Sequence, residues 1–250
     1  MKRPFPFLPA LFFCLLAVLR TAAQSQAPSS PPKLVISHLV GDLYVYTTWQ
    51  PQGGSPYPAN SMYLVTDKGV ALIDGPWDST QCQPLLDSIY RRHHQKVVLC
   101  IATHFHEDRT RALDFLRERG VATYSSAETY ALCVKNHKPL AEHVFTRDTV
   151  FRLGNVRFST FYPGEGHTRD NIVVWFPANQ VLYGGCFIKS TEVGGLGNVA
   201  DANVAAWPRS VRRVMDKYPH PAFVIPGHQG WSDLRSLQHT LDLLRAAPVP

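Results

Sequence analysis

The sequence predicts an α/β protein in which two β-sheets pack against each other and helices cover their outer faces. Strand-like and helix-like segments are mixed along the chain, and a run of consecutive strands occupies residues 149–188. That run argues against a doubly wound parallel sheet, in which helices separate successive strands. The length of 250 residues allows one sizeable domain or two small ones.

The N-terminus has the features of a secretory signal. Lys2 and Arg3 precede a mostly apolar stretch at residues 5–19, and small residues follow at 21–23. A membrane-spanning helix needs roughly 20 apolar residues, so an uncleaved anchor is the weaker alternative. We expect cleavage after residue 23 and export to the periplasm.

Residues 24–33 are rich in Ser, Pro and Gln, which predicts a flexible lead-in to a single domain over residues 34–250. The formal net charge of +6 is small, and it is spread along the chain. This charge does not favour nucleic acid as a partner. No later segment is apolar enough to span a bilayer, and no coiled coil demands a partner chain, so we expect a monomer without a membrane anchor.

The first half of the domain alternates between strands and helices. Strands are predicted at 43–49, 61–65 and 70–74, and the Pro/Gly-rich residues 50–60 are too many for a tight turn, which predicts a mobile flap. Ser79 can cap a helix that runs to about His94. The next elements are a buried strand at 96–102, a helix closed by Gly120, a strand at 121–124 and a helix at 127–135.

The second half begins with the consecutive strands, at 149–153, 156–162, 171–176 and 181–188. Pro208 suits the first turn of a helix that runs to Tyr218. A short strand at 223–225 follows. Ser232 can cap a last helix, with leucines at helical spacing from Leu234 onward.

Four cysteines remain after the signal, and in an exported protein they raise the possibility of disulfides. Their wide spacing does not resemble a dense disulfide framework. Cys100 lies in an apolar run and is expected in the core. Cys186 is better explained as a metal ligand, and Cys82 and Cys133 fit either state.

The strongest chemical signal is the motif that contains His104, His106 and Asp108, between a buried strand and a helix. Residues two apart in an extended segment point the same way, so both histidines can reach one metal ion. Asp108 can turn toward a neighbouring position. Nitrogen and oxygen ligands suit zinc. The alternative is a set of surface histidines with a helix-capping Asp.

Three further candidate ligands lie downstream at strand ends or turns: His167, Cys186 and His228. Glycines flank each of them, which lets the backbone approach a site closely. Each residue alone is weak evidence. With the first motif they make six ligands, enough for two zinc ions with positions left open for water.

These six residues, in this order, resemble the metal-binding motif of the class B β-lactamases. The resemblance is to the first subclass and covers roughly residues 34–246. It implies a four-layer αβ/βα sandwich, the metallo-β-lactamase fold. It also implies that three histidines (104, 106 and 167) hold one zinc and that Asp108, Cys186 and His228 hold a second.

The resemblance extends to residues around the metals. It implies that Lys189 binds the carboxylate of a β-lactam substrate and that Asn198 polarises the lactam carbonyl. Without it, Lys189 would be an ordinary surface lysine and Asn198 a turn residue. Asp74 and Arg109 match positions that orient the ligands. Residues 50–60 match a loop over the substrate.

The implied activity is hydrolysis of penicillins, cephalosporins and carbapenems by a zinc-bound hydroxide, and hence antibiotic resistance. Asp108 is also expected to orient the hydroxide. One alternative is a hydrolase of the same fold that acts on lactones, thioesters or phosphodiesters. Several relatives of that kind carry a histidine at the position of Arg109 and a bridging aspartate at the position of Cys186. Another is a zinc-binding protein without activity, but structural zinc sites usually have four protein ligands each.

Overall fold

The computed structural model of the protein describes residue 1, residues 34–146 and residues 148–247. The predicted signal segment and lead-in lie, apart from Met1, outside them. Within the described residues the strands are β1 (Val35–Val40), β2 (Leu43–Gln52), β3 (Ser55–Thr66), β4 (Gly69–Ile73), β5 (Val97–Ala102), β6 (Ala122–Ser126), β7 (His143–Phe145), β8 (Val150–Leu153), β9 (Val156–Phe161), β10 (Val173–Phe176), β11 (Val181–Gly185) and β12 (Phe223–Pro226). The helices are α1 (Cys82–His93), α2 (Glu107–Thr110), α3 (Leu113–Arg117), α4 (Ala127–Lys135), α5 (Trp207–Lys217) and α6 (Ser236–Ala246).

The strands form two mixed sheets. In the first, β1 to β7 lie side by side in chain order; β1 to β4 pair antiparallel, and β4 to β7 pair parallel. The second has the order β12-β11-β10-β9-β8, and only its β11–β12 pair is parallel. As a result, β4, β5, β9, β11 and β12 end at one edge of the sandwich.

The core consists of three apolar clusters that define four layers. The central cluster packs the two sheets face to face, for example Met62 and Leu64 with Val174 and Phe176. A second cluster joins the first sheet to α1 and α3. A third joins the second sheet to α5 and α6. The predicted sandwich of two mixed sheets with outer helices is therefore confirmed.

The prediction of a loop at residues 50–60 is wrong in its local structure. β2 and β3 continue through this segment as one long hairpin, and only Gly53 and Gly54 form the turn. Both glycines have positive φ, as a two-residue hairpin turn requires. Pro51 lies opposite Pro56, and Pro58 is two residues further along. In an antiparallel pair, hydrogen-bonded and non-hydrogen-bonded residue pairs alternate. The three prolines share the same phase of this alternation, so the hairpin can form although each proline lacks an N–H group.

Smaller corrections concern helix ends and short strands. Asp78, not Ser79, caps the 3-10 turn that leads into α1, by accepting a hydrogen bond from the Thr80 amide. Ser232 does not cap the last helix, which begins at Ser236, and Leu234 is exposed. Strands β1 and β7 carried no strong alternation and were not predicted.

No helix within the described ranges is long and apolar enough to cross a lipid bilayer.

Candidate metal centre

The candidate ligands meet where strands of both sheets end. The motif at residues 104–108 follows β5, His167 lies in the β9–β10 loop, Cys186 directly follows β11, and His228 follows β12. Although these segments are far apart in sequence, their donor atoms form overlapping groups within 4.8 Å of one another. The structure thus brings together all six predicted ligands.

Three imidazoles form the first cluster. The ring centroids of His104 and His106 are 4.9 Å apart, those of His104 and His167 are 5.1 Å apart, and those of His106 and His167 are 5.0 Å apart. The planes are nearly perpendicular, at 77° to 88°, so the rings do not stack on one another. Three imidazoles arranged in this way can direct one nitrogen each at a common cation.

Two rings of the first cluster, His104 and His167, have the protonation state that a metal ion needs. Burial lowers the pKa of His104 and of His167 well below the ordinary histidine value, so both rings are neutral at pH 7. Among the described residues, His104 Nε2 and His167 Nδ1 have no hydrogen-bond partner although they are buried. Neutral, unpaired nitrogens are costly to bury unless a ligand binds them, and zinc is a suitable one.

The second cluster joins an oxygen, a sulfur and a nitrogen donor. Cys186 Sγ is 3.3 Å from Asp108 Oδ2 and 3.1 Å from His228 Nε2, and that nitrogen is 3.2 Å from the same carboxylate oxygen. His228 Nδ1 lies 2.7 Å from the Pro58 carbonyl, which fixes the proton on Nδ1 and leaves Nε2 toward the cluster.

Electrostatics also suit a cation in the second cluster. Burial alone would lower the pKa of His228, but Cys186 and Asp108 raise it to about 9. Burial would raise the pKa of Asp108, but Arg109 and His228 hold it well below its ordinary value. A thiol, a carboxylate and an imidazole that attract positive charge this strongly fit a zinc ion.

A buried network orients the ligands. Asp74, at φ +63°, accepts hydrogen bonds from the Thr103 amide (2.7 Å) and the Tyr183 hydroxyl (2.7 Å). Arg109 is fully buried; its Nη2 lies 3.0 Å from Asp108 Oδ2 and 2.9 Å from Cys186 Sγ. Arg109 thus contacts two candidate ligands directly, and Asp74 contacts residues next to them; that they orient the ligands stays a prediction.

Gly227 is needed for the close approach of two strand ends. A Cβ atom there would lie 2.6 Å from the Cys186 amide nitrogen and 2.7 Å from Arg109 Nη2. The Gly227 amide donates to the Gly185 carbonyl at 2.8 Å. The glycine before His228 therefore has a packing role at the second cluster.

A cavity of about 610 Å³ opens onto both clusters. Its lining residues include Tyr57, Trp77, Lys189 and Asn198. Asn198 is exposed, and its side chain accepts a hydrogen bond from the Ala200 amide, as in a turn. Both predicted substrate-binding residues thus border the cavity next to the metal centre.

Sequence reasoning missed one polar contact of the first cluster. Asp201 Oδ2 lies 2.9 Å from His106 Nε2, which leaves Nδ1 of that ring available as a metal ligand. No local pattern distinguishes Asp201 from other loop carboxylates. All four cysteines within the described residues are buried free thiols, which resolves the state of Cys82 and Cys133.

Comparison with known proteins identifies the family. The sequence matches the family described as "Metallo-beta-lactamase superfamily" over residues 54–238, more than half of the chain. The chain belongs to the metallo-β-lactamase superfamily. The "Metallo-beta-lactamase type 2" of Elizabethkingia meningoseptica is 43% identical over 213 residues, which are 85% of this chain and 86% of that relative. "Metallo-beta-lactamase IND-1" of Chryseobacterium indologenes is 39% identical over 236 residues, 93% of this chain and 96% of the relative.

Solved metallo-β-lactamase structures share the fold. The crystal structure of metallo-β-lactamase IND-7 has a TM-score of 0.83 and 41% identity, covering 85% of this chain and 98% of its own. The metallo-β-lactamase from Pontibacter korlensis also has a TM-score of 0.83, at 32% identity, covering 86% and 100%. These relatives confirm the predicted family and enzyme class: the chain is a hydrolase of the metallo-β-lactamase type, a family whose members bind metal.

Proposed function

We propose that this metallo-β-lactamase homologue hydrolyses the β-lactam ring of penicillins, cephalosporins and carbapenems with two zinc ions, and that it confers resistance to these antibiotics. One observation carries the proposal: six donor side chains from four separate segments converge, and four of them line an open cavity. The names of its relatives point to the same substrate class.

We assign the zinc ligands from the two clusters. The three histidines at 104, 106 and 167 hold the first ion, and Asp108, Cys186 and His228 hold the second. Three protein ligands for each ion leave positions for water and substrate, as in catalytic zinc sites. Zinc bound in this way lowers the pKa of a bound water to about 7 and so supplies a nucleophile at neutral pH.

The chain's own residues orient the substrate and the water. Lys189, which lines the cavity, binds the carboxylate of the substrate. Asn198 donates a hydrogen bond from its amide to the lactam carbonyl, where negative charge develops. Asp108 accepts a hydrogen bond from the attacking water and so directs it at the carbonyl carbon. Arg109 and Asp74 hold Asp108 and Cys186 in position for these contacts.

We further propose that residues 1–23 are removed on export, that 24–33 are a lead-in and that 34–250 act as one catalytic domain. The enzyme then works in the periplasm as a monomer, where β-lactams reach it by diffusion.

The experiment is turnover of a chromogenic cephalosporin by purified protein. We expect turnover that a chelator abolishes and added zinc restores, with two zinc ions per chain by elemental analysis. The D108N variant should lose most of the activity. Turnover of a lactone or thioester with no lactam hydrolysis would favour another hydrolase of this fold. Tight zinc binding with no turnover of any of these substrates would favour a binding protein.

A further inference from the structure

Trp207 is the largest fully buried side chain of the described residues, and none of the roles above uses it. It is the first residue of α5 and lies next to two residues that line the cavity, Lys189 and His167. Its indole Nε1–H donates to the Phe187 carbonyl at 3.0 Å, and its ring stacks on the Phe187 ring at 6.1 Å. These contacts fix the plane of the indole, because both a hydrogen bond and a ring packing constrain it.

The fixed indole contacts a predicted substrate-binding residue and a predicted ligand. Lys189 Nζ lies over the ring, 5.3 Å from its centroid, within the range of a cation–π interaction. The His167 ring centroid is 5.9 Å away. The backbone at Gly166 packs directly against the indole, because a Cβ atom there would lie 2.9 Å from Trp207 Cδ1.

The partner of Lys189 differs from that of the other lysine that lines the cavity. Lys138 pairs with the Glu107 carboxylate at 2.6 Å, so its charge is neutralised. Within residues 34–146 and 148–247, Lys189 Nζ has no carboxylate within 4.0 Å, and its charged group faces the indole instead. The backbone amide of Lys189 donates a hydrogen bond to the Thr240 hydroxyl at 2.8 Å.

Because the partner of the Lys189 ammonium is an aromatic ring and not a carboxylate, Lys189 can still bind an anion. A carboxylate next to Lys189 would compete with a substrate carboxylate for the same ammonium group. The indole face attracts the ammonium through its quadrupole but carries no net charge. Lys189 is therefore held in place while its positive charge stays available on the cavity side.

We propose that Trp207 is a positioning residue: its indole holds the Lys189 ammonium, without neutralising it, where it meets the carboxylate of the substrate. This inference rests on the proposed function only in the role of Lys189. It predicts that the electron density of the indole face affects the affinity for carboxylated substrates and leaves the chemical step unchanged.

The test replaces Trp207, in the zinc-loaded full chain, with increasingly fluorinated tryptophans. Fluorination keeps the shape and the N–H group but weakens the attraction of the ring face for a cation. The substrates are a cephalosporin with a free carboxylate and its methyl ester. For the free acid we expect KM to rise with each step, about 2- to 30-fold in total, the range that a cation–π contact supports. We expect kcat, and KM for the ester, to stay constant.

Two variants and a control complete the series. W207F keeps a ring and should give an intermediate KM, whereas W207L should match or exceed the most fluorinated enzyme. The same fluorination at Trp175, which stacks on Tyr218 at 4.7 Å and does not line the cavity, should change nothing. A KM independent of fluorination at position 207, or an equal rise for acid and ester, would overturn the proposal.

A second measurement does not depend on turnover. In protein with ¹³C-labelled lysine Cε, the Lys189 methylene protons over the indole should resonate upfield of lysines that face no ring. Lys217, which lies 4.6 Å from the Phe161 ring centroid, should shift as well, so K189A identifies the Lys189 signal. The upfield shift should disappear in W207L. If the shift is present but no lactam is hydrolysed, the proposed function fails and the Trp207–Lys189 contact stands. If lactams are hydrolysed and the shift is absent, the inference alone fails.

Discussion

A single methyl group at Gly227 should damage the second metal cluster and leave the first intact. In G227A the new Cβ would lie 2.6 Å from the Cys186 amide nitrogen and 2.7 Å from both Arg109 Nη2 and the Gly185 carbonyl carbon. Ordinary contact begins at 3.4 Å, so the strand ends must separate by about 0.8 Å, the difference between 3.4 and 2.6 Å. The obstacle is mostly backbone, which cannot turn away as a flexible side chain can.

The size of the effect follows from that displacement. Metal sites tolerate about 0.2 Å in ligand distances, so a shift of about 0.8 Å is roughly four times too large. A misplacement of 1 Å in a catalytic group can cost about 10²-fold in rate. Overpacking of a core typically costs about 1–3 kcal/mol in the free energy of unfolding. We expect G227A to fold, to hold one zinc tightly, and to lose about 10²-fold in kcat/KM.

The assay is zinc stoichiometry in competition with a chromophoric chelator, together with urea unfolding and cephalosporin turnover. Gly194 offers a matched control, because a Cβ there would meet nothing within 4 Å and its φ is not positive. The free energy of unfolding of G194A should lie within about 0.5 kcal/mol of the wild-type value, and this variant should bind zinc normally. Two tightly bound zinc ions and wild-type turnover in G227A would refute the steric argument.

Three further variants probe the surroundings of the clusters. D201N should weaken zinc binding at the three histidines about 10- to 100-fold, because the Asp201 carboxylate orients the His106 ring, and chelator competition measures it. In C186S the zinc content should fall from two ions to one, whereas C133S, at a buried thiol away from the ligands, should keep both. Burial raises the pKa of Asp74 from 3.8 to about 6, so its contribution to stability falls as the pH rises through that window. The free energy of unfolding of D74N relative to wild type should therefore rise by up to about 3 kcal/mol between pH 4 and 6.5, and a flat difference in urea titrations would contradict this.

The sequence predicted which six side chains come together more accurately than it predicted the elements that surround them. Residues 104 and 106 had to share a side because alternate residues of an extended segment point the same way. His228 and Cys186 could be placed because each ends a strand, next to a glycine that allows close approach. Chemistry and local geometry were sufficient here, since few residue types can bind zinc.

The rest depended on contacts between distant segments. The prolines at 51, 56 and 58 suggested a loop, but long pairing between β2 and β3 outweighs that local preference. Leu234 fits a helical repeat by spacing, yet it is exposed, and α6 begins only at Ser236. Asp201 was indistinguishable from any loop carboxylate, because its role arises only when its loop reaches His106.

The two ends of the β2–β3 hairpin differ in how far they tolerate changes of sequence. At its tip Pro51, Gly53, Gly54 and Ser55 are exposed, so substitutions at these four positions should disturb little of the fold. Its base is fixed: the Pro58 carbonyl accepts from His228, and the Asn60 amide donates to the Gly227 carbonyl at 2.8 Å. Sequence changes at the tip should therefore be tolerated, whereas inserting or deleting a residue between Tyr57 and Asn60 would shift the register and break the hydrogen bond to His228.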